Sequence, residues 1–334
     1  MEELTMTINE IAKMAGVSRA TVSRYLNDGY VSEEKKERIR HVIDETGYTP
    51  SASAKLLRAN RTKLIGVIIP KINSDSISRM VSGISRSLKK NDYQMLLAVT
   101  ENQELEEIRY LKTLSQNRVD GMILFGTIFT EEHKKVLQEI STPVIVLTQR
   151  LDGYTCIYSD DYHAALSLGR LIGKTAKDPA LITVTERDIA VGHNRKAGLL
   201  DGLKEHGLSV DPDHIEESAF QMDAGYLAAD HLFKKDPSID TLLCATDTIA
   251  SGAVRYLHEQ GISIPDQVQV TGFGDSSISK AITPSLTTVH FYYEEAGERA
   301  SELLLDEINA GGPRVIREIQ LACDVIERES SRRK

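Results

Sequence analysis

The chain has 334 residues, of which 41% are hydrophobic, and its formal net charge at pH 7 is −9. It is long enough to bury the cores of more than one domain. Its three cysteines show no metal-ligand spacing, and no apolar run reaches the ~18 residues of a membrane-spanning helix. Glu2 and Glu3 have the wrong charge for a secretion signal. We therefore expect a protein of the reducing cytoplasm, with no membrane contact, no cofactor and no metal site.

Two short helices joined by a tight turn are predicted near the start of the chain. Apolar residues between positions 8 and 15 recur at three- and four-residue spacing, so they share one helical face. Gly16 can adopt the positive φ of a tight turn, and Ser18 is a good N-cap for a second helix over about 19–27. A third helix is predicted from Ser32 to about Thr46, ended by Gly47.

The second of these helices carries residue types that read DNA. Five residues lie off its apolar face: Arg19, Ala20, Ser23, Arg24 and Asn27. Arginine can pair with guanine through two hydrogen bonds, alanine can contact a thymine methyl group, and hydroxyls and amides suit base edges or phosphates. The pattern predicts a DNA-binding helix-turn-helix. An ordinary three-helix surface stays the alternative, because residues 1–63 hold eleven Lys/Arg against nine Asp/Glu, a balance of only +2.

The N-terminal motifs resemble those of the lac repressor/galactose repressor family, and the resemblance runs from end to end of the chain. It rests on residues 7–27 (TINEIAKMAGVSRATVSRYLN), on Val31 and Ser32, and on residues 47–50 (GYTP). It implies that the following residues contact operator DNA: Thr7, Ser18, Arg19, Ala20, Thr21, Ser23, Arg24 and Asn27. Arg19 and Ala20 occupy positions where the family varies its base readers, so we expect them to set sequence preference.

Residues 50–61 are predicted to form a hinge. Pro50 ends the preceding element and Ser51 can cap a short helix, but about eight residues are too few for a stable helix in water. Either this is a plain interdomain linker, or the helix forms only on DNA and acts as a switch. The resemblance favours the switch. It implies DNA contacts from Ser51 and Ala54, a Leu57 wedge in the minor groove, and Arg58 near phosphate.

Apolar strands alternate with helices through the rest of the chain. Strands are predicted at 64–69, 94–99, 121–125 and 144–147, with helices at 77–90 and 104–116. The series restarts after about Asp160, with strands at 181–184, 241–244 and 268–272 and helices at 164–173, 195–206, 225–233 and 249–259. Such alternation predicts parallel sheets covered on both faces, and two halves fit two doubly wound, Rossmann-like lobes.

The expected fold is therefore α/β, with an all-α helix-turn-helix headpiece and two lobes. The resemblance assigns these lobes to the periplasmic-binding-protein-like type I architecture. We expect the headpiece at 1–49, the hinge at 50–61, an N-terminal effector lobe at 62–160 plus 291–320, and a C-terminal lobe at 161–290 plus 321–334.

Ligands of doubly wound sheets bind outside the carboxyl ends of the strands, which here meet at a cleft between the lobes. The candidate effector-binding residues are Asn73, Asp75, Glu101, Phe125, Gln149, His193, Arg195, Phe220, Asp247, Asp275 and Tyr293. Carboxylates, amides and guanidinium groups pair with sugar hydroxyls, and an aromatic ring covers a sugar C–H face. Structural roles without ligand contact stay open as alternatives: Asp247 as a helix cap, Asp275 as a turn cap and Arg195 as a surface cation.

The family resemblance supports this cleft. Residues 194–198, 245–248 and 272–275 resemble ligand-contacting motifs of the family, and Phe220 and Tyr293 fall on its aromatic cleft positions. Many relatives carry an acidic residue where this chain has Gly274, so the sugar-contacting carboxylate is either shifted to Asp275 or lost.

Within the family, the chain resembles the sucrose-operon repressors of Gram-positive bacteria. The resemblance is carried by residues 188–192, 244–249, 272–274 and 283–288. It implies a homodimeric repressor that binds a palindromic operator and is released by a sugar or sugar phosphate, with sucrose or a related fructose-containing sugar expected.

Other functions stay open as alternatives: a sugar-binding protein without a DNA role, or a family regulator that uses another ligand as corepressor. No nucleophile–base pair is visible at the strand ends, so no enzyme activity is expected.

Overall fold

The computed structural model describes residues 6–26, 29–48, 61–310 and 315–332. The chain divides into two units, Met1–Thr62 and Lys63–Lys334. Within the described ranges, no helix is both long and apolar enough to cross a membrane.

The described residues of the first unit form three helices: α1 (Ile8–Met14), α2 (Arg19–Tyr25) and α3 (Glu33–Thr46). They bury a small apolar cluster of Ile11, Ala12, Ala15, Val22, Ile39 and Val42. As predicted, Ser18 caps α2 by accepting a hydrogen bond from the Thr21 amide at 3.2 Å. Gly16 and Gly47 both have a φ of 62°, as the predicted turn and helix end require.

The second unit begins with a lobe built on a six-stranded parallel sheet of order β11-β5-β4-β3-β1-β2. Its strands are β1 (Leu64–Ile69), β2 (Gln94–Val99), β3 (Gly121–Phe125), β4 (Val144–Leu147), β5 (Thr155–Ser159) and β11 (Glu318–Leu321). Its helices are α4 (Asp75–Lys90), α5 (Glu104–Gln116), α6 (Glu131–Glu139) and α12 (Tyr293–Ala310). Two apolar clusters cover the two faces of the sheet, which explains why β1, β3 and β4 are nearly continuous apolar runs.

The other lobe contains a four-stranded parallel sheet of order β7-β6-β8-β9. Its strands are β6 (Pro179–Thr183), β7 (Ile215–Glu217), β8 (Thr241–Cys244) and β9 (Gln269–Thr271). Its helices are α7 (Asp161–Gly173), α8 (Arg195–Lys204), α9 (Met222–Lys235), α10 (Asp247–Glu259) and the short α11 (Ser277–Ala281). A π-helical turn, Ile189–Asn194, precedes α8. Strands β10 (Thr288–Phe291) and β12 (Cys323–Ile326) pair antiparallel and pack against this lobe.

In the described parts of the chain, the backbone passes between the lobes at three places. These lie between β5 and α7, between β10 and α12, and between β11 and β12. The two sheets therefore share no strand, and the space between them is bounded at the back by the crossing segments.

Strands β1 to β4 and β8 have the bounds that the sequence predicts, whereas several other elements differ. Strand β6 begins two residues earlier than predicted, at Pro179. Proline lacks an amide hydrogen, but it is tolerated as the first residue of a strand. The 195–206 helix is preceded by the unpredicted π-helical turn. Elements without a sequence prediction are β5, β7, β10 to β12, α6, α11 and α12.

Two glycines hold the first lobe together where α4 crosses α12. A Cβ atom added to Gly83 would lie 2.1 Å from the carbonyl oxygen of Glu294, and one added to Gly297 would lie 2.1 Å from that of Met80. The two backbones can approach this closely only because both positions lack a side chain.

Gly83→Ala is therefore expected to destabilise this unit by about 1–3 kcal/mol, because overpacking outweighs the usual gain in helix propensity. The free energy of unfolding in urea, followed by far-ultraviolet circular dichroism, measures the effect. Ser85→Ala, on the exposed face of the same helix, is the matched control and should be neutral or slightly stabilising. Equal stability of the two variants would show that the crossing has room for a Cβ.

Candidate functional site

The outer face of α2, with its cap, presents four of the twelve residues predicted to contact DNA. Ser18, Arg19, Ala20 and Arg24 are exposed, whereas Val22 of the same helix is fully buried. Because Val22 is buried, α2 is oriented so that Arg19, Ala20 and Arg24 face outward together.

The hydroxyl residues of this face are partly engaged with their neighbours. The Ser18 and Thr21 hydroxyls lie 2.9 Å apart, and both Thr21 and Ser23 are half-buried. Thr7 begins α1 in a reciprocal cap, since its amide and its hydroxyl bond the Glu10 carboxylate at 2.6 Å and 2.8 Å. The predicted DNA contacts Asn27, Ser51, Ala54, Leu57 and Arg58 lie outside the described residues.

A cleft of about 930 Å³ opens between the two lobes of the second unit, at the carboxyl ends of β1, β3, β4, β6 and β8. Its lining includes nine of the predicted effector-binding residues: Asn73, Asp75, Glu101, Phe125, Gln149, Arg195, Phe220, Asp247 and Tyr293. This volume suits a small ligand such as a mono- or disaccharide.

Arg195 is a buried member of the back wall and not the surface cation that the sequence left open. It is 6% exposed; its Nε donates to the Asp161 carboxylate at 2.7 Å and its Nη1 donates to the Ala245 carbonyl at 2.9 Å. The guanidinium contacts the rings of both Phe273 and Phe291, 5.0 Å and 4.8 Å from their centres. These contacts fix the guanidinium plane while one edge borders the cleft.

Asp247 is held by other side chains and does not cap its helix. The cap of α10 is Thr246, whose hydroxyl accepts from the Ile249 amide at 3.2 Å. The Asp247 carboxylate accepts from the Ser276 amide and hydroxyl at 2.8 Å and 2.9 Å, and from the Thr288 hydroxyl at 2.5 Å. Burial raises the pKa of Asp247, while the bonds from Ser276 and Thr288 lower it.

Several titratable residues of the lining, Lys71 and Asp188 among them, were not predicted as effector contacts. The Lys71 ammonium donates to the Phe220 carbonyl at 3.3 Å and lies 5.1 Å from the centre of that ring, and burial lowers its pKa. Asp188 caps the π-helical turn and accepts from the Val191 amide at 3.0 Å and from Gln149 Nε2 at 3.1 Å. Burial raises the pKa of Asp188 to about 6.

The unpredicted lining residues were partly visible in the sequence. Lys71 follows β1 directly, as Asn73 does, so the strand-end rule applies to it equally. Asp161 could not be found in that way, because β5, which ends at Ser159, was not predicted.

The structure does not bring His193 and Asp275 to the cleft. His193 is on the exposed side of the π-helical turn, with Nδ1 3.3 Å from the Glu186 carboxylate. The Asp275 carboxylate, in the loop between β9 and α11, turns away from the cleft, where it bonds His290 at 2.9 Å, Lys280 at 3.3 Å and Arg328. Its neighbour Gly274, with a φ of 135°, lines the cleft instead.

The resemblance left open whether a carboxylate had shifted from position 274 to Asp275, and the structure places Asp275 away from the cleft. Arg328, Lys280 and His290 hold the Asp275 carboxylate there, and Gly274 leaves the backbone itself at the surface of the cleft.

Two family models match the chain. Residues 7–51 match bacterial regulatory proteins of the lacI family, and residues 62–329 match periplasmic binding proteins and the sugar-binding domain of the LacI family. The boundary between the two matches falls close to the boundary between the two units.

Individual relatives agree with these matches. The sucrose operon repressor of Staphylococcus xylosus is 35% identical over 298 residues, covering 89% of this chain and 92% of that protein. A transcriptional regulator CelR–cellobiose complex is 25% identical, with a TM-score of 0.74 over 98% of this chain and 100% of that one.

The chain is also similar in fold to a chain of the lac repressor dimer in its complex with operator and the anti-inducer ONPF. That structure has a TM-score of 0.84, at 21% identity, and the match covers 97% of this chain and 98% of that chain. The polar interlobe cleft and the helix-turn-helix thus occur together in one architecture. The chain belongs to the lacI family of bacterial regulatory proteins, and it is a DNA-binding transcriptional repressor and not an enzyme.

Proposed function

We propose that this repressor controls a carbohydrate-utilisation operon in the cytoplasm and is released from its operator when a sugar binds between the lobes. Sucrose or a related fructose-containing sugar is the proposed effector. The observation that carries the proposal is the cleft itself, where carboxylates, an amide, a guanidinium and an aromatic ring converge. The name of the Staphylococcus xylosus relative supports the choice of sucrose.

Operator recognition is assigned to α2 and to the hinge segment. One headpiece presents one recognition helix and reads one half-site, so a palindromic operator requires a homodimer. Arg19, Ala20 and Arg24 are the proposed base and phosphate contacts, because they are the exposed residues of the helix.

Polar contacts join the two lobes across the cleft, and a bound sugar would compete with them. Gln149 of the first lobe bonds Asp188 of the second at 3.1 Å, and Glu104 pairs with Arg187 at 2.6 Å. Arg79 Nη1 also crosses, donating to the carbonyls of Gly274 and Asp275 at 3.1 Å and 3.3 Å. A sugar that bonds both lobes changes the balance of these contacts and so favours one lobe arrangement.

Lys71 and Phe220 form the contact that a sugar is most directly expected to replace. The ammonium rests over the ring on which a sugar C–H face would stack. Coupling between sugar and operator is reciprocal, so operator DNA must weaken sugar binding by the same factor.

The direct test is gel-shift titration of the full-length protein on the DNA upstream of its own gene. Specific binding should weaken steeply with salt, by roughly a thousandfold between about 50 and 200 mM, because it depends on phosphate contacts. Adding sucrose should release the complex. Binding that no sugar changes would contradict the proposed effector, and the absence of a specific complex would contradict operator recognition.

Arg19→Ala should weaken operator binding by about tenfold or more while leaving non-specific DNA binding nearly unchanged, since a base contact is lost. Lys35→Ala is the matched control, because it removes one positive charge from the exposed surface of α3. Equal losses in the two variants would show that Arg19 contributes only charge.

Phe220→Ala should raise the sucrose concentration needed for release by about five- to tenfold, because the sugar loses its stacking surface. The readout is the midpoint of a sucrose titration of the preformed protein–DNA complex, with the gel-shift midpoint without sucrose as the internal reference. Leu227→Ala, which removes an exposed apolar side chain from α9, is the control. An unchanged sucrose midpoint in Phe220→Ala would remove the ring from the effector site.

Asp188→Asn should stabilise the protein at pH 7.5 by about 1–3 kcal/mol and leave it unchanged near pH 4. The raised pKa of Asp188, from 3.8 to about 6, means that the folded state holds this proton where the unfolded chain has lost it. The Asp188 contribution to stability therefore falls as pH rises from about 4 to 6, by about 3 kcal/mol in total.

Urea unfolding of both proteins across this pH range measures the difference. Asp266→Asn, at an exposed aspartate, is the control and should follow the wild type at every pH. A constant difference between Asp188→Asn and the wild type would contradict the buried, titrating carboxyl.

A further inference from the structure

We infer that the effector of this repressor is an uncharged sugar and that the cleft excludes its phosphate esters. The inference rests on the proposed function, in which a sugar binds between the lobes, and it narrows the chemical class of that sugar. It follows from how carboxylates are distributed over the cleft.

Helix starts at the cleft already carry carboxylates of the chain. Free amides at the start of a helix, together with the helix dipole, are the usual places where proteins bind phosphate. Aspartates stand at these helix starts in the cleft: Asp188 caps the π-helical turn, and Asp75, Asp161 and Asp247 are the first residues of α4, α7 and α10, where their carboxylates bond other side chains. A phosphate group approaching any of them meets a negative charge where it needs a donor.

The charges of the described lining give the same result. Eight carboxylate side chains line the cleft: Asp75, Glu101, Glu104, Glu107, Asp161, Asp188, Glu217 and Asp247. The cations of the lining are Lys71 and Arg195, and Arg195 is neutralised by Asp161 at 2.7 Å. Outside the lining, Arg79 and Arg187 pair with Asp75 and Glu104 at 3.4 Å and 2.6 Å. The cleft stays negative, and a phosphate monoester would bring a further charge of about −2.

At the start of α9, a phosphate would find free helix amides close to a cation. Its cap residue, Gln221, makes no side-chain cap bond, and Lys71 lies beside Phe220. However, the Lys71 ammonium already donates to the Phe220 carbonyl, and the cleft lining just before Phe220 in the sequence includes Glu217. This corner therefore offers a phosphate at most one cation against a nearby carboxylate.

A neutral sugar meets none of these penalties. A carboxylate oxygen has two lone pairs; Oδ2 of Asp247 and Oδ1 of Asp188 each already accept two protein donors, so a sugar hydroxyl would bond the other oxygen of each group. Asp247, fixed by Ser276 and Thr288, and Asp188, fixed by Val191 and Gln149, are acceptors whose orientation is set before the ligand arrives. The Phe220 ring offers the apolar face that a pyranose or furanose needs.

The test is isothermal titration calorimetry of the full-length protein at pH 7.5 with two matched pairs: sucrose against sucrose 6-phosphate, and fructose against fructose 6-phosphate. The neutral sugar of at least one pair should bind, and its phosphate ester should bind about tenfold more weakly or worse, because like charges meet in a partly desolvated site. An ester that binds as tightly as its parent sugar, or more tightly, overturns the inference and leaves the repressor with a sugar-phosphate effector.

Two variants of lining residues and one control test whether the charge of the cleft excludes the ester. Asp188→Asn keeps the size of the side chain and removes a charge, so it should narrow the gap between the ester and the sugar, whereas the exposed Asp266→Asn should leave the gap unchanged. Lys71→Met should not weaken the ester relative to the sugar. A selective loss of ester binding in Lys71→Met would show a phosphate site at the start of α9 and overturn the inference.

The outcome also separates this inference from the proposed function. Binding of the ester alone contradicts only the neutral effector. Binding of neither member of either pair, by a protein that still forms its operator complex, contradicts the sugar effector itself and this inference with it.

Discussion

The interlobe cleft depends on one buried ion pair, Arg195–Asp161, at the junction of the lobes. Asp161 is the first residue of α7, directly after the first crossing between lobes, and Arg195 is the first residue of α8. Phe291, the last residue of β10, covers the guanidinium just before another crossing. The pair therefore joins two crossing segments and one helix start at the back of the cleft. Removing either partner would leave a buried charge, at a cost of about 3–5 kcal/mol.

This junction explains how the site can combine rigidity with movement. The back wall is fixed by Arg195, by the two aromatic rings around it and by the hydrogen bonds that hold Asp247. The contacts across the cleft, such as Glu104–Arg187, are more exposed, and pairs of that kind contribute little individually. The contacts across the cleft can therefore be exchanged at low cost, whereas those of the back wall cannot.

The sequence predicted the central strands and most of the cleft because both follow from strong local patterns. Strands β1, β3, β4 and β8 are unbroken apolar runs buried on both faces, so their bounds are unambiguous. Gly16 and Gly47 adopt the positive φ that favours glycine, and the Ser18 hydroxyl caps α2. Residues directly after the predicted strands, such as Asn73 and Gln149, then reach the cleft by topology alone.

What the sequence did not give depends on contacts between distant segments. Strand β11 pairs only with β5, which was itself unpredicted, so Asp161 could not be placed at a strand end. The direction of the Asp275 side chain is set by Arg328, 53 residues away, and by Lys280 and His290. Helix α12 is different, because the spacing of Ala296, Ala300, Leu303 and Leu304 on one face is a helical signal that sequence analysis could have used.

The distribution of charge along the chain fits the division of labour between the two units. Residues 1–63 carry a net charge of +2 and residues 64–334 carry −11, which together give the total of −9. An acidic effector domain repels the DNA backbone, which confines phosphate contact to the headpiece and lowers non-specific association. The same excess of carboxylates extends into the cleft, where Asp188 and Asp247 are oriented by protein donors rather than neutralised by cations. The same compositional bias thus extends from the second unit as a whole into its cleft, whereas the excess of positive charge lies in the first unit.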